Sequence, residues 1–417
     1  MLKNNAPLSR RALLQRSAAI PAASIALGGS AFAQSGSSPA LAVPESMKTQ
    51  GGPFLNPAYG APSAFEKDVV RVLPSAPSAF PTASRSPLQS LYGIITPSGL
   101  FFERHHAGVP TIDPDQHRLM VHGLVDRPLL LTMDDIVRFP SVSQINFLEC
   151  SGNSSSQYAG PSGKTAQEIH GLLSCAEWTG VKLSTLLAEV GAKRNAQWIL
   201  AEGADAAGMT RSIPMDVAMG DAILVYAQNG ERLRPEQGYP LRLLLPGIEG
   251  NMNIKWLRRL KLGDQPFHTR EETSKYTDLM PDGRAYEFTF AMDVKSVILS
   301  PSGGQSIRSG FHEITGVAWT GAGRIKAVDV STDGGRNWRQ AVLQEPVLSK
   351  ALTRFRLPWQ WDGSPTTIQS RAIDEAGRVQ PTRKQLVEKR GPGYTYHYNA
   401  IQSWMVAQSG EVSNVHA

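Results

Sequence analysis

The chain has 417 residues, 41% hydrophobic and 19% charged, with a net charge of +6 and two cysteines. That length buries a sizeable core without covalent staples, and two cysteines cannot build a disulfide scaffold. The mild basic excess suits an anionic substrate or cofactor, but no basic stripe interleaved with aromatics speaks for nucleic acid.

The first residues concern export. Ser9-Arg10-Arg11-Ala12-Leu13-Leu14 is a twin-arginine pattern in a basic leader. A modest apolar run over residues 18–27 follows, then the small-residue site Ala31-Phe32-Ala33. The run is too short for a permanent membrane span. The expectation is a twin-arginine signal peptide over residues 1–33 and a periplasmic protein, exported already folded. No later stretch is long and apolar enough for a membrane span. Residues 34–90, rich in Ser, Pro, Ala and Gly, read as an extended arm.

From about Leu91 to Asp264, strand-like runs alternate with short helical patterns. Thr132-Met133-Asp134-Asp135-Ile136 reads as a helix start, with Thr132 as N-cap and acids in the first turn. Ser184 to Val190 reads as a short helix stopped by Gly191. Strands are expected at 198–201, 222–226 and 241–245. The mixture lacks a regular βαβ rhythm, so the fold class is α+β. From about Phe288 short strands dominate. Val328-Asp329-Val330-Ser331 alternates, and Asp333-Gly334-Gly335 makes a hairpin turn before Trp338. Further strands at 355–357 and 368–373, with a turn at Asp374-Glu375-Ala376-Gly377, indicate an immunoglobulin-like β-sandwich.

Cys150 is the most informative residue. In Phe147-Leu148-Glu149-Cys150-Ser151-Gly152-Asn153 it follows an apolar strand and opens a small loop. A thiolate at a strand end can face a cleft and bind a soft metal. The other reading is a buried structural thiol, or a disulfide with Cys175 in a secreted binding protein without enzymatic activity.

Taken with Phe102-Glu103-Arg104-His105-His106, the Cys-x-Gly-Asn loop and the long block from Ser212 to Lys261, the chain resembles the molybdenum-containing sulfite oxidase and sulfite dehydrogenase family. Within it, the likeness is to the catalytic subunit of bacterial sulfane/sulfite dehydrogenases of the thiosulfate-oxidising system. The resemblance covers almost everything after Leu91. It implies a molybdopterin-binding catalytic domain over 91–280 and a β-sandwich dimerisation domain over 285–417. It also implies a molybdenum–molybdopterin cofactor ligated by Cys150, whose thiol the metal would deprotonate.

Other family positions carry over one by one. Arg104 would face the substrate oxyanion, a task suited to a planar and permanently charged fork. His106 would touch the pterin, and Asp205 would accept hydrogen bonds from its N–H groups. Arg242, Asn253 and Lys255 would bind the cofactor, the two cations at its phosphate. Tyr276, in Ser274-Lys275-Tyr276-Thr277, matches the active-site tyrosine. Without those neighbours Arg104 reads as a surface ion pair, Asp205 as a turn former, Arg242 and Lys255 as a solvated face, and Tyr276 as packing.

Departures are informative. Ser154 and Ser155 stand where these enzymes usually carry arginine, and Gln237 stands where they carry histidine. His397 takes the place of a further substrate arginine. Each lost charge-assisted bond would cost anion binding about 1.5–3 kcal/mol. The pocket is therefore expected to admit sulfane sulfur on a carrier protein as well as sulfite; a plain sulfite dehydrogenase is the alternative. A molybdenum sulfoxide reductase fits less well, since those chains lack the second domain. There is no Cys-x-x-Cys-His, so no haem is expected on this chain, and no dinucleotide fingerprint follows a strand. The resemblance implies a separate c-type cytochrome as electron acceptor and a homodimeric core.

Overall fold

The computed structural model describes residue 47 and residues 59–75, 82–391 and 394–416. The signal over 1–33 and most of the expected arm lie outside the described residues. Residues 1–63 and 64–417 form two compact units, and all strands described lie in the second. Among the described residues no helix is long and apolar enough to cross a membrane.

The segment expected as arm is not arm throughout. Strand β1 (Thr82–Ser84) pairs antiparallel with β2 (Glu103–His105). Leu88 is buried in the main core, and the Ser86 hydroxyl bonds Ser174 at 2.6 Å. The regular turn chemistry of this stretch had hidden one core leucine and two satisfied serines, Ser84 and Ser86.

Ten strands follow: β3 (Leu119–Gly123), β4 (Leu129–Leu131), β5 (Ser141–Glu149), β6 (Leu173–Lys182), β7 (Trp198–Gly203), β8 (Thr210–Pro214), β9 (Ile223–Gln228), β10 (Glu231–Arg232), β11 (Arg242–Leu244) and β12 (Leu257–Gly263). One sheet runs β10-β9-β6-β5, with β11 also on β9; the other runs β4-β3-β12-β7-β8. Only β3 and β12 pair in parallel within them. Apolar residues of both sheets, among them Val121, Leu243 and Leu260, share one buried cluster with Leu186 of a flanking helix. Helices here are single turns or little more. Thr132 caps Met133–Val137 through a capping box with Asp135, and Leu183–Glu189 ends before Gly191, whose φ is +65°. Short helices at the sheet margins, rather than crossovers, make the fold α+β.

Strands β13 (Asp278–Leu279) and β14 (Ala285–Tyr286) form a small ribbon. The second half then contains β15 (Lys295–Ser300), β16 (Gly310–Trp319), β17 (Ile325–Ser331), β18 (Arg339–Gln340), β19 (Val342–Gln344), β20 (Thr353–Trp361), β21 (Thr366–Asp374), β22 (Ser403–Val406) and β23 (Val412–Val415). They form two antiparallel sheets, β15-β16-β20-β19 and β18-β17-β21-β22-β23. Along β20 inward residues Phe355, Leu357, Trp359 and Trp361 alternate with outward ones, the period-2 pattern of a sheet with one buried face. The core between these sheets also takes in Phe147, Ile169, Leu173 and Cys175 from the first half. The two halves therefore share buried surface.

Candidate active site

Several strand ends converge on one cavity of about 670 Å³ of empty space, open to solvent. Cys150 follows the last residue of β5 and lines it. Asp205 follows β7, Arg242 opens β11, and Lys255 precedes β12. The register explains the meeting: Leu257 of β12 pairs with Gly203 of β7, so the residues just beyond both lie at one mouth. Gly250 lets the opposite loop approach, because a Cβ there would sit 2.8 Å from the Glu149 carbonyl and 3.1 Å from the Cys150 Cα.

Of the nine candidate residues, eight line this cavity: Arg104, His106, Cys150, Asp205, Arg242, Asn253, Lys255 and Tyr276. Burial pushes the Cys150 thiol up, against a smaller opposing pull from Arg104. The thiol is thus neutral in the metal-free chain, and ligation of a metal would require it to release its proton. Both cysteines are free. Cys175 faces Phe147 across the β5–β6 ladder, three positions before Cys150. Alternation puts the two sulfurs on opposite faces of the sheet, and three residues along a strand span roughly 10 Å, beyond bridging distance. The alternative with a Cys150–Cys175 disulfide is therefore corrected.

A buried cation, Arg242, and a half-buried one, Lys255, face the cavity with no carboxylate at ion-pairing distance. The Arg242 guanidinium donates to the Gln237 carbonyl at 2.9 Å and stacks 5.0 Å over the Trp178 ring, while its Nε has no partner. Burial pushes its pKa down to about 9. Lys255 Nζ donates to the carbonyls of Arg104 (3.0 Å) and Glu236 (2.9 Å), leaving a third N–H. Burial, and then repulsion from Arg242, lower its pKa to about 7. Two desolvated cations with unused N–H groups are what an anionic group such as a phosphate fits. With a soft thiol in the same cavity, the donor set fits a pterin-held metal. Cys150, Arg242 and Lys255 would hold it, with Asp205 at its N–H groups. Among the described residues there is no cluster of three His, Cys, Asp or Glu side chains able to hold a metal by themselves.

Arg104, His106 and Tyr276 also line the cavity. Tyr276 Oη lies 3.0 Å from His106 Nε2. Burial, with help from Arg104 and Lys275, lowers the His106 pKa to about 4, so the imidazole is neutral at ordinary pH. Burial raises the Tyr276 pKa, so the phenol keeps its proton. No carboxylate pairs with Arg104 among the described residues; its Nη1 donates to the His105 carbonyl.

His397 and Asn253 depart from their expected roles. His397 does not line the cavity. Its backbone N–H bonds the Ser151 carbonyl at 2.8 Å and its Nε2 lies 3.3 Å from Glu249, so it stands behind the wall, held beside the aromatic cluster of Tyr158, Tyr394 and Tyr398. Asn253 lines the cavity, but its amide is committed to the chain itself: it accepts from Leu245 N at 2.7 Å and donates to the carbonyls of Ile248 and Glu249. It shapes the loop rather than offering donors. Ser154, at an expected arginine position, turns away from the cavity toward His170 and Lys295.

Sequence reasoning missed Arg211, Glu249 and the apolar lining from Met209 and Trp256. Arg211 is fully buried between Glu249 (3.4 Å) and Glu272 (3.5 Å), with its guanidinium 5.1 Å over the Tyr276 ring. In sequence it is one more arginine in a strand; only the arginine-with-two-acids arrangement, invisible in one dimension, marks it.

Residues 106–271 match the family described as oxidoreductase molybdopterin binding domain, and residues 286–403 match the Mo-co oxidoreductase dimerisation domain. The mitochondrial sulfite oxidase of Homo sapiens is 32% identical over 317 residues, covering 69% of this chain and 57% of that enzyme. The chain thus spans little more than half the length of the mammalian relatives it matches. The sulfite oxidase of Gallus gallus is 31% identical over 69% of this chain and 68% of its own length. The crystal structure of the sulfane dehydrogenase SoxCD from Paracoccus pantotrophus superposes with a TM-score of 0.86 at 47% identity, covering 88% of this chain and 96% of that one. The chain belongs to the sulfite oxidase and sulfite dehydrogenase family of molybdopterin oxidoreductases.

Proposed function

We propose that the chain is the catalytic subunit of a periplasmic molybdenum dehydrogenase that oxidises sulfite or sulfane sulfur held on a carrier protein and passes electrons to a c-type cytochrome. The observation that carries this reading is the Cys150 thiol in one cavity with Arg104, Arg242 and Lys255, none of which has a carboxylate at ion-pairing distance. The 47% identity to a sulfane dehydrogenase over nearly the whole of that chain favours the sulfane substrate. The sulfite oxidases among the relatives favour free sulfite as the second reading.

When bound, the molybdenum–pterin cofactor supplies oxygen transfer and takes up two electrons. For sulfite, water supplies the oxygen, and sulfate, two protons and two electrons result. The chain's own groups do the rest. Arg242 and Lys255 anchor the anionic end of the cofactor. Arg104 orients an oxyanion through its planar fork. Tyr276, protonated and bonded to neutral His106, presents an O–H donor where negative charge develops. Phe102, Leu148, Met209 and Trp256 make the remaining wall apolar and strengthen those contacts by excluding water.

Export by the twin-arginine route and a homodimer built through the β-sandwich belong to the same proposal, supported by Arg10-Arg11 and by the dimerisation-domain match. The experiment is reduction of cytochrome c by the purified periplasmic protein, with sulfite and with a thiosulfate-loaded carrier. Faster turnover of the loaded carrier is expected. A strong preference for free sulfite would reject the sulfane assignment, and no turnover of either would reject the function.

A further inference from the structure

The loop that carries Cys150 is fastened from its far side by the second half of the chain. Glu149 and Cys150 are neighbours at the end of β5, so their side chains leave on opposite sides. Cys150 faces the cavity. Glu149, 1% exposed, faces the β-sandwich. There its Oε2 accepts from Trp319 Nε1 at 2.6 Å and its Oε1 accepts from Lys295 Nζ at 3.2 Å. Lys295 and Trp319 are directly paired across β15 and β16, so a single rung of the sandwich supplies both donors.

The same rung reaches further round the loop. Lys295 Nζ donates to the Ser154 hydroxyl at 3.0 Å, and that hydroxyl also lies 2.6 Å from His170 Nδ1. Ser154 has φ +67°, a left-handed conformation that a serine holds only when its surroundings fix it. Asn153 donates to Glu149 Oε1 at 2.9 Å and accepts from Leu172 N. The backbone of His397 closes the circuit on the Ser151 carbonyl. Residues 149, 151 and 154 are therefore each bonded to the second half, while Cys150 between them is not.

We propose that Lys295 and Trp319, acting through Glu149 and Ser154, position the Cys150 thiol for its metal. The β-sandwich is then part of the scaffold of the metal centre and not only a surface for pairing with another copy. This rests on the functional reading above. Groups that orient a metal ligand from behind typically change metal affinity or activity 10–100-fold when removed.

The test compares full-length holoenzyme carrying Trp319→Phe or Lys295→Met with wild type and with the double variant Glu149→Gln/Lys295→Met. Each single variant is expected to lower kcat by about tenfold or more, to leave KM little changed, and to alter the molybdenum absorption-edge spectrum. The double variant is expected to recover much of the loss, because a carboxamide at position 149 still accepts from Trp319 and no charge is stranded. Wild-type kcat and spectrum in the single variants, or lower thermal stability with both unchanged, would overturn the proposal. Trp319→Phe keeps the buried ring and decides the matter if Lys295→Met does not fold.

A second arm is independent of the metal. In the metal-free full-length chain, alkylation reports Cys150 alone, since Cys175 is wholly buried. The single variants are expected to be alkylated several-fold faster than wild type, and an unchanged rate overturns the positioning role. Wild-type protein lacking molybdenum would defeat the functional reading while leaving this arm able to judge the clamp.

Discussion

Two groups of desolvated charges lie near the Cys150 loop, and the chain treats them in opposite ways. Lys295, behind the loop, meets Glu149 at 3.2 Å, and Arg211, beside Tyr276, meets Glu249 and Glu272. In front of the loop, Arg242 and Lys255 have carbonyls and aromatic rings for partners but no carboxylate at ion-pairing distance. A buried charge with its counter-charge is scaffold. A buried charge without one is costly to the empty protein and is explained by a ligand that brings the missing charge. The difference separates what holds the fold from what the fold is for.

The contrast can be broken on its paired side first. Arg211→Met strands two carboxylates and is expected to destabilise the protein by about 3–5 kcal/mol, read as a lower urea midpoint. A neutral result would mean the pairing is not structural. On the unpaired side the sign should invert. Lys255→Met is expected to weaken cofactor retention by about 10–100-fold, as for one charge-assisted bond, yet to raise the thermal midpoint of the cofactor-free chain. Lower stability of that chain would show that Lys255 is scaffold after all.

Arg104→Gln sharpens the picture within the cavity. It is expected to raise KM for sulfite by about tenfold or somewhat more, with cofactor content unchanged; an unchanged KM would remove Arg104 from the substrate site. The last test is in pH. Lys255 has a pKa of about 7 in the folded chain against an ordinary 10.5. Between those values the unfolded chain binds the proton that the folded one lacks, so stability of the cofactor-free protein should rise with pH from 7 toward 10. The loaded protein, with Lys255 charged against an anion, should lack this rise. Thermal unfolding across that range reads both, and a falling midpoint in the cofactor-free protein would contradict the assignment.

Much of the site was legible because its residues sit in short runs at strand ends. Phe102 to His106, the Cys150 loop and Arg242 each sit in or beside a short strand, and the β7–β12 register brings Asp205 and Lys255 together. What stayed hidden depends on long-range partners. A glutamate beside a cysteine looks like surface, and nothing near Glu149 foretells a lysine 146 positions away. His397 was expected in the place of a substrate arginine, but it does not line the cavity and its backbone is left-handed, with φ +54°. Asn253 has the right position with its amide already used. The α+β class and the sandwich followed from strand spacing, whereas the end of the arm did not, since Leu88 enters the core from a stretch rich in turn residues.

The central claim is that Cys150 binds molybdenum. Elemental analysis of natively matured wild type and of Cys150→Ser, both verified as folded by circular dichroism, tests it most directly. About one molybdenum per chain in wild type, as a single-thiolate site requires, with loss of the metal or of all turnover in the variant, is the result predicted. Wild type without molybdenum, or a variant that keeps both metal and full activity, would contradict it.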